Sequence, residues 1–114
     1  MKYKVQVHGN TFLEPQVAFD VEDNVWWLKL LPNVGGITLS ANLVRLRYKM
    51  AEALQNNPTL LVHEAVHIIQ ARKMGSGYLS TYLFQALKAG FKKANIPMEQ
   101  EAYAYQAKGE YLIL

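Results

Sequence analysis

The most informative stretch of this chain is the apolar run Leu60-Leu61-Val62-His63-Glu64-Ala65-Val66-His67-Ile68-Ile69-Gln70. Residues four apart on a helix share one face, so His63 and His67 can direct both imidazoles at a single metal ion. Glu64 lies one position round the helix, where its carboxylate can reach a water on that metal without being a ligand. Burying three such groups without partners would cost on the order of several kcal/mol, whereas a metal ion turns them into a binding site.

The spacing His63-Glu64-x-x-His67 is the H-E-x-x-H arrangement of zinc-dependent hydrolases, in which the carboxylate is the general base. Such a site needs a third protein ligand and one open coordination position. The chain has no cysteine, so any zinc must be held by imidazole and carboxylate. A metzincin would have a third histidine in place of Lys73 and a glycine in place of Gln70, which excludes that class. A glutamate from a later helix remains, and the candidates are Glu99 and Glu101.

The pattern resembles a known family. The motif His63-Glu64-x-x-His67-x-x-Gln70, followed by Pro97-x-Glu99-x-Glu101-Ala102, is similar to the small gluzincin-type (minigluzincin-like) zinc metallopeptidase domains of bacteria and phages. More distantly, it is similar to membrane proteases and stress-response peptidases whose third-ligand helix reads E-x-x-A-D or E-x-x-A-N. The resemblance covers residues 36 to 106 and implies a Zn²⁺ ion held by both histidines and one glutamate.

In such domains the third ligand is the glutamate that precedes x-x-Ala. Carried over, this makes Glu99 the expected ligand, because Ala102 follows it by three residues. Glu101 stays open as the alternative, because Ala104 follows it in the same way. The chain departs from the family pattern at Tyr103, where the family has Asp or Asn. The polar partner that normally orients a ligating histidine is therefore not expected at that position.

Other side chains have candidate roles in the same chemistry. Glu64 is expected to accept a proton from water and to return it to the leaving amine. Among several tyrosines, Tyr103 and Tyr82 are the first candidates to stabilise a tetrahedral oxyanion. Gln70 falls on the same helix face as the two histidines, where it either bonds a ligating histidine or bonds backbone at the helix end.

The predicted fold is α+β, with a small antiparallel or mixed sheet (about residues 1–49) packed on a three-helix half (about 50–114) that carries the H-E-x-x-H helix. The chain length of 114 residues predicts a single compact domain over residues 1–114. Alternating or continuous apolar residues predict the strands. They are Lys2–His8, Val17–Val21, a central strand Val25–Leu31 closed by Pro32-Asn33, and one bent strand or two short ones over Ile37–Tyr48.

Three helices are predicted for the second half. Asn57-Pro58 supplies an N-cap and a first-turn proline for a helix that runs to about Met74, before the glycines of Gly75-Ser76-Gly77. A second helix is predicted over Tyr78–Lys93, and a third from Pro97 to roughly Gly109. The Ile37–Tyr48 segment directly precedes this half and is the expected edge strand for pairing with a peptide substrate.

Composition limits the expected partners and location. Apolar residues make up 51% and charged residues 18% of the chain, which is typical of a globular protein. No signal-like segment or bilayer-spanning stretch is visible, so a cytoplasmic location without a membrane partner is expected, and export without a signal stays open. The net charge of +3 is scattered and no nucleic-acid-binding motif accompanies it, so no nucleic-acid partner is expected. The oligomeric state stays open.

Three functions are compatible with the same metal ligands. The first is a zinc metallopeptidase that hydrolyses peptide bonds through a metal-activated water. The alternative is a gluzincin-like metal-binding module with a binding or assembly role and little or no proteolysis, because 114 residues leave little chain for a second wall of a cleft. The third is a zinc amidohydrolase that acts on a non-peptide bond.

Overall fold

The structure is a computed structural model that describes residues 1–9, 16–31 and 34–114, and these residues form an α+β fold, as predicted. Within them, the strands of one mixed sheet are β1 (Lys2–His8), β2 (Gln16–Glu22), β3 (Gly36–Thr38), β4 (Leu43–Leu46) and β5 (Glu110–Ile113). The α-helices are α1 (Met50–Asn56), α2 (Leu60–Met74), α3 (Tyr78–Lys88) and α4 (Pro97–Tyr105). Among the helices of the described ranges, none combines the length and the apolar composition that a membrane span requires.

The strand order across the sheet is β3-β4-β2-β1-β5. β2 and β4 pair in parallel, and the other neighbouring pairs are antiparallel. The predicted Ile37–Tyr48 segment therefore forms two short strands, of which β3 is at the edge and β4 is internal. β3 pairs with β4 on one side, and no other strand in the described ranges pairs with its outer side.

One face of the sheet packs on α2. Because side chains alternate along a strand, β1 and β2 each direct every second residue towards this helix. The shared core consists of buried residues from the strands and from the sheet-facing side of α2, such as Val5, Val21, Leu61, Ala65 and Ile68. This packing fixes α2 along its length, so the H-E-x-x-H turn lies on a rigid element.

A second apolar cluster joins α2 to α3 and α4. It contains Ala71 of α2, Tyr78 and Ala86 of α3, Ile96 directly before α4, and Met98 in its first turn. The proline at the first position of α4 suits a helix start, because its missing N–H would have no helical acceptor. The cluster thereby sets the first turn of α4 against the middle of α2.

The predicted central strand over Val25–Leu31 is wrong. Residues Trp26–Leu30 form a 3-10 helix, and only Leu28 within it is buried, while Trp26 is 71% exposed. Asn24 adopts a left-handed φ of 52° and turns the chain after β2. Val25 and Leu28 are both buried and three residues apart, which is the spacing of one helical turn. The Pro32-Asn33 stop lies outside the described residues.

The predicted helix boundaries also shift. Asn57 ends the unpredicted helix α1, since its N–H bonds to the Ala53 carbonyl, so α2 begins at Leu60 and not at Pro58. Helix α3 ends at Lys88 and not at Lys93, because Gly90 and Phe91 adopt left-handed φ angles of 63° and 61°.

The C-terminal end of the chain differs from the prediction as well. Helix α4 ends at Tyr105 and not near Gly109. The residues after it form β5, which adds to the open side of β1 and was not predicted.

Candidate metal centre

Three potential metal ligands converge between α2 and α4. His63 Nε2 lies 2.9 Å from Glu99 Oε1, and His67 Nε2 lies 2.8 Å from the same oxygen. One ligand atom of each residue lies within 4.8 Å of the others. The two histidines are one helical turn apart on α2, and Glu99 is in the first turn of α4, as expected for a glutamate from a later helix. The arrangement offers two imidazole nitrogens and a carboxylate oxygen to one point.

All three side chains are shielded from bulk water. The exposed fraction is 12% for His63, 5% for His67 and 6% for Glu99. Polar groups at this depth need partners, because unpaired burial costs free energy. Their partners are therefore informative about what the site is built to hold.

Gln70 fixes the tautomer of His67. Its Nε2 donates to the Met98 carbonyl at 3.0 Å and to Glu101 Oε1 at 2.9 Å, and both of these groups are acceptors. The amide oxygen of Gln70 must therefore face His67 Nδ1, which donates to it at 2.7 Å. With the proton on Nδ1, the neutral imidazole has its lone pair on Nε2, directed at Glu99.

Gln106 holds His63 in the same way. It directly follows α4, and its Oε1 lies 2.8 Å from His63 Nδ1. Both histidines thus donate Nδ1–H to a glutamine oxygen and present Nε2 to the same carboxylate. An outer hydrogen bond of this kind orients the histidines of metal sites. The two glutamines are thus placed to orient the histidines, a role for which the sequence predicted no partner at Tyr103.

The two histidines have too few protons, when neutral, for all of their hydrogen-bond contacts. Four ring nitrogens of His63 and His67 each lie within 2.9 Å of an acceptor oxygen, but two neutral imidazoles supply only two protons. The two contacts to Glu99 therefore need either extra protons or a metal ion. Donor atoms around tetrahedral zinc lie roughly 3.3 Å apart, which is slightly wider than these contacts. The donor set and its surroundings fit a zinc ion.

The close contacts among these side chains also shift the pKa values of His67 and Glu99. Burial lowers the pKa of His67, but its hydrogen bond to Glu99 and the charges of Glu64 and Glu99 raise it overall from 6.5 to about 9. Burial raises the pKa of Glu99, but hydrogen bonds from His63, His67 and Tyr82 hold it well below its ordinary value. Without a metal, the site is therefore stabilised by a proton on His67 paired with the Glu99 carboxylate.

Glu64 lies beside these groups but is not among them. It is 4% exposed, and its Oε2 accepts a hydrogen bond of 3.2 Å from Thr38 Oγ1 on the edge strand β3. Its Oε1 faces Gly36, where an added Cβ would lie 3.4 Å away. A cavity of about 230 Å³ opens here and is lined by residues that include His63, Glu64, Gly36 and Tyr103. Glu64 thus borders both the histidines and an accessible space.

The two candidate tyrosines occupy different places. Tyr82 of α3 donates its hydroxyl to Glu99 Oε2 at 2.7 Å, so it holds the carboxylate in place. Tyr103 of α4 lines the cavity beside Glu64, is 45% exposed, and has its ring centroid 4.8 Å from that of His63. Of the two, only Tyr103 faces the space where a substrate could lie.

The predicted site residues are largely brought together. His63, His67 and Glu99 converge, whereas the alternative third ligand Glu101 points to Gln70 and orients that amide. Sequence reasoning missed Gln106 and Thr38. Gln106 follows Glu99 by seven residues, a two-turn spacing that places both on one side of a helix, so a signal for it was present. Thr38 reaches Glu64 only through the packing of β3 on α2, for which the sequence carries no local signal.

Comparisons with known proteins found no match that bears on the site. No protein-family model matches the chain, and no curated protein or solved structure matches it. The resemblance to gluzincin-type domains therefore depends on the motif residues of the sequence.

Proposed function

We propose that this chain is a zinc-dependent peptidase of the gluzincin type. His63, His67 and Glu99 would hold the zinc, and the observation that carries this proposal is their convergence with both Nε2 lone pairs turned inwards by glutamines. A bound zinc would supply Lewis-acid chemistry, lowering the pKa of water towards neutrality and polarising a carbonyl. Glu101 has a supporting role here, because it holds Gln70 and not the metal.

Glu64 is the proposed general base. Thr38 holds one oxygen of its carboxyl group, the other lies near Gly36, and Glu64 and Gly36 both line the cavity. Glu64 is therefore placed to take a proton from water and pass it to the leaving amine. Tyr103 is the proposed oxyanion donor, because it lines the same cavity. A peptide would lie along β3, whose outer side has no strand partner in the described sheet.

The test compares wild type with Glu64→Gln in digests of an unstructured peptide library. The amide keeps the shape of the side chain but cannot accept a proton, so turnover is expected to fall by at least about 10²-fold. Zinc binding is expected to persist, because Glu64 is not a ligand. Glu52→Gln on the exposed face of α1 is the matched control and should cleave like wild type. Chelator should abolish the activity, and added zinc should restore it.

One observation favours the alternative of a metal-binding module. The cavity at Glu64 has a volume of about 230 Å³, which is below the roughly 300–1,000 Å³ of common ligand sites. A module that binds zinc without cleaving would leave wild type and Glu64→Gln equally inert while both bind the metal. That result would replace the peptidase proposal with the binding module.

A further inference from the structure

The outward side of α3 is unusually apolar. Five large exposed side chains lie on or shortly after this helix, and we call them the α3 ridge: Leu79, Leu83, Phe84 and Leu87 on the helix, and Phe91 three residues beyond its end. Leu83 is 55% exposed, Phe84 61% and Phe91 64%. The outward side of a surface helix normally carries polar residues, so this distribution needs an explanation.

The inward side of α3 is already used by the fold. Tyr78 and Ala86 are buried in the cluster with α2 and α4, Tyr78 donates its hydroxyl to the Thr38 carbonyl, and Tyr82 bonds Glu99. Rotating α3 about its axis to bury the ridge would expose the side that already packs against α2 and α4, so the ridge is not a misplaced core face. A helix that is apolar on both sides is normally covered on both, and exposed apolar patches mark sites of association.

The charged residues nearest in sequence to the α3 ridge are of one sign. Between Glu64 and Glu99 the chain has no acidic residue, and the exposed cations on and shortly after α3 are Lys88 and Lys92. Two other cations of this interval lie elsewhere, since Arg72 bonds the Ala18 and Ala41 carbonyls and Lys93 lines the cavity at Glu64. Lys88 lies on the ridge itself, with its Nζ 5.1 Å from the centre of the Phe84 ring. An open groove of about 530 Å³ runs beside it and is lined by Phe84, Lys88 and the polar side chains of Gln85 and Asn95.

We propose that the α3 ridge docks onto the surface of an anionic phospholipid bilayer. Leucine and phenylalanine side chains on one helix side, next to lysines, are the features of a helix that lies in the membrane interface without crossing it. The ridge side chains would enter the boundary between headgroups and acyl chains. Lys88 and Lys92 would meet the phosphates, with the groove beside Lys88 accommodating a headgroup.

A second copy of the chain fits this surface less well. Two copies meeting through the α3 ridge would bring the same cations together with no acid from this interval to offset them. An anionic bilayer instead complements that charge, since each cation near such a surface adds to binding. Such a surface contact needs no spanning segment, so the lack of one in the sequence does not bear on it. That the ridge residues are exposed follows only from the structure, which shows which side of α3 packs against α2 and α4.

The experiment is sedimentation of the whole chain with vesicles of phosphatidylcholine alone, or of equal parts phosphatidylcholine and phosphatidylglycerol. Binding is expected with the anionic vesicles only, and it should weaken with added salt. Lys88→Gln/Lys92→Gln should bind about 25-fold more weakly, at roughly fivefold for each lysine. Leu83→Gln/Leu87→Gln should lose at least about tenfold, because each change removes apolar surface from the interface.

Matched controls separate the α3 ridge from general stickiness. Trp26→Gln/Leu30→Gln removes two side chains that are 71% and 73% exposed on the 3-10 helix and should bind like wild type. All of these changes are at exposed positions, so melting temperatures should stay close to wild type. Failure to bind anionic vesicles, or equal loss in the control, overturns the proposal. A dimer in solution that Leu83→Gln/Leu87→Gln dissociates, without vesicle binding, would assign the ridge to a second copy instead.

Discussion

Removing the side chain of Gln70 should weaken zinc binding without touching a ligand. In Gln70→Ala, His67 Nδ1 loses its acceptor at 2.7 Å, so nothing holds the proton on Nδ1 and the lone pair on Nε2. Losing an outer partner of a ligating histidine typically costs about 10- to 100-fold in metal affinity, or about 1.4–2.8 kcal/mol. The Met98 carbonyl also loses its side-chain donor at 3.0 Å, which lowers stability by about 0.5–1.5 kcal/mol.

Gln70→Glu separates these two effects. The carboxylate still accepts from His67 Nδ1, but it cannot donate to the Met98 carbonyl and it repels Glu101. Zinc affinity should therefore stay near wild type, while stability falls about as much as in Gln70→Ala. Adding Glu101→Gln to Gln70→Glu returns a donor to the pair and should recover part of that stability.

Zinc affinity is measured by competition with a chromophoric chelator, and stability by urea unfolding in excess chelator. If Gln70 orients His67, zinc affinity should be lower in Gln70→Ala than in Gln70→Glu. The free energy of unfolding should be lowered to a similar extent in both variants. Equal zinc affinity in wild type and Gln70→Ala would refute the reasoning. An equal loss of zinc affinity in Gln70→Ala and Gln70→Glu would mean that Gln70 contributes by packing and not by orienting His67.

Three further predictions concern the same site. Tyr82→Phe removes the hydroxyl that donates to Glu99 Oε2 and should lower zinc affinity by about tenfold in the same titration, whereas unchanged affinity would contradict that contact. Without metal, the pKa of His67 lies at about 9 and not at 6.5, so its stabilisation is complete below pH 6.5 and is lost as pH rises through about 9. Melting temperatures in chelator should fall across that range, and a flat profile would refute the pairing. Gly36→Ala puts a methyl group 3.1 Å from Leu46 Cδ2 and 3.4 Å from Glu64 Oε1, so the Leu46 side chain must shift and stability should drop by about 1 kcal/mol; peptide turnover should fall as well, because the methyl group narrows the space beside Glu64, and unaffected turnover would count against that close approach.

The sequence predicts those parts of the fold whose burial follows a local period. β1 and β2 were found because every second residue is buried, namely Val5 and Val7 in β1 and Val17, Phe19 and Val21 in β2. The 3-10 helix at Trp26–Leu30 was missed because nearly all of its residues are apolar. The sequence alone therefore does not show which of them are buried, and without that the helical and strand periods cannot be told apart. β5 was missed because its pairing partner is β1, at the other end of the chain, and no local pattern records a pairing over that distance.

The candidate site shows the same division. Spacing on α2 and the family resemblance led to His63, His67 and Glu99, because helical periodicity fixes which residues share a side. The choice between Glu99 and Glu101 needed the docking of α4 on α2, since both glutamates precede an alanine by three residues. Gln70 is already a candidate partner of a ligating histidine from its position on the helix face. The contact of Gln106 with His63 also depends on the docking of α4 on α2, because Gln106 directly follows α4 and His63 lies on α2.

The most direct test of the proposed zinc centre is a crystal structure of the chain grown with zinc and measured at the zinc absorption edge. The proposal predicts one strong anomalous peak bonded to His63 Nε2, His67 Nε2 and Glu99, at about 2.0–2.2 Å from each ligand atom. Gln70 and Gln106 should still accept from the two Nδ1 groups. A peak at any other position, or no peak while the histidines keep their contacts to Glu99, would contradict the proposal.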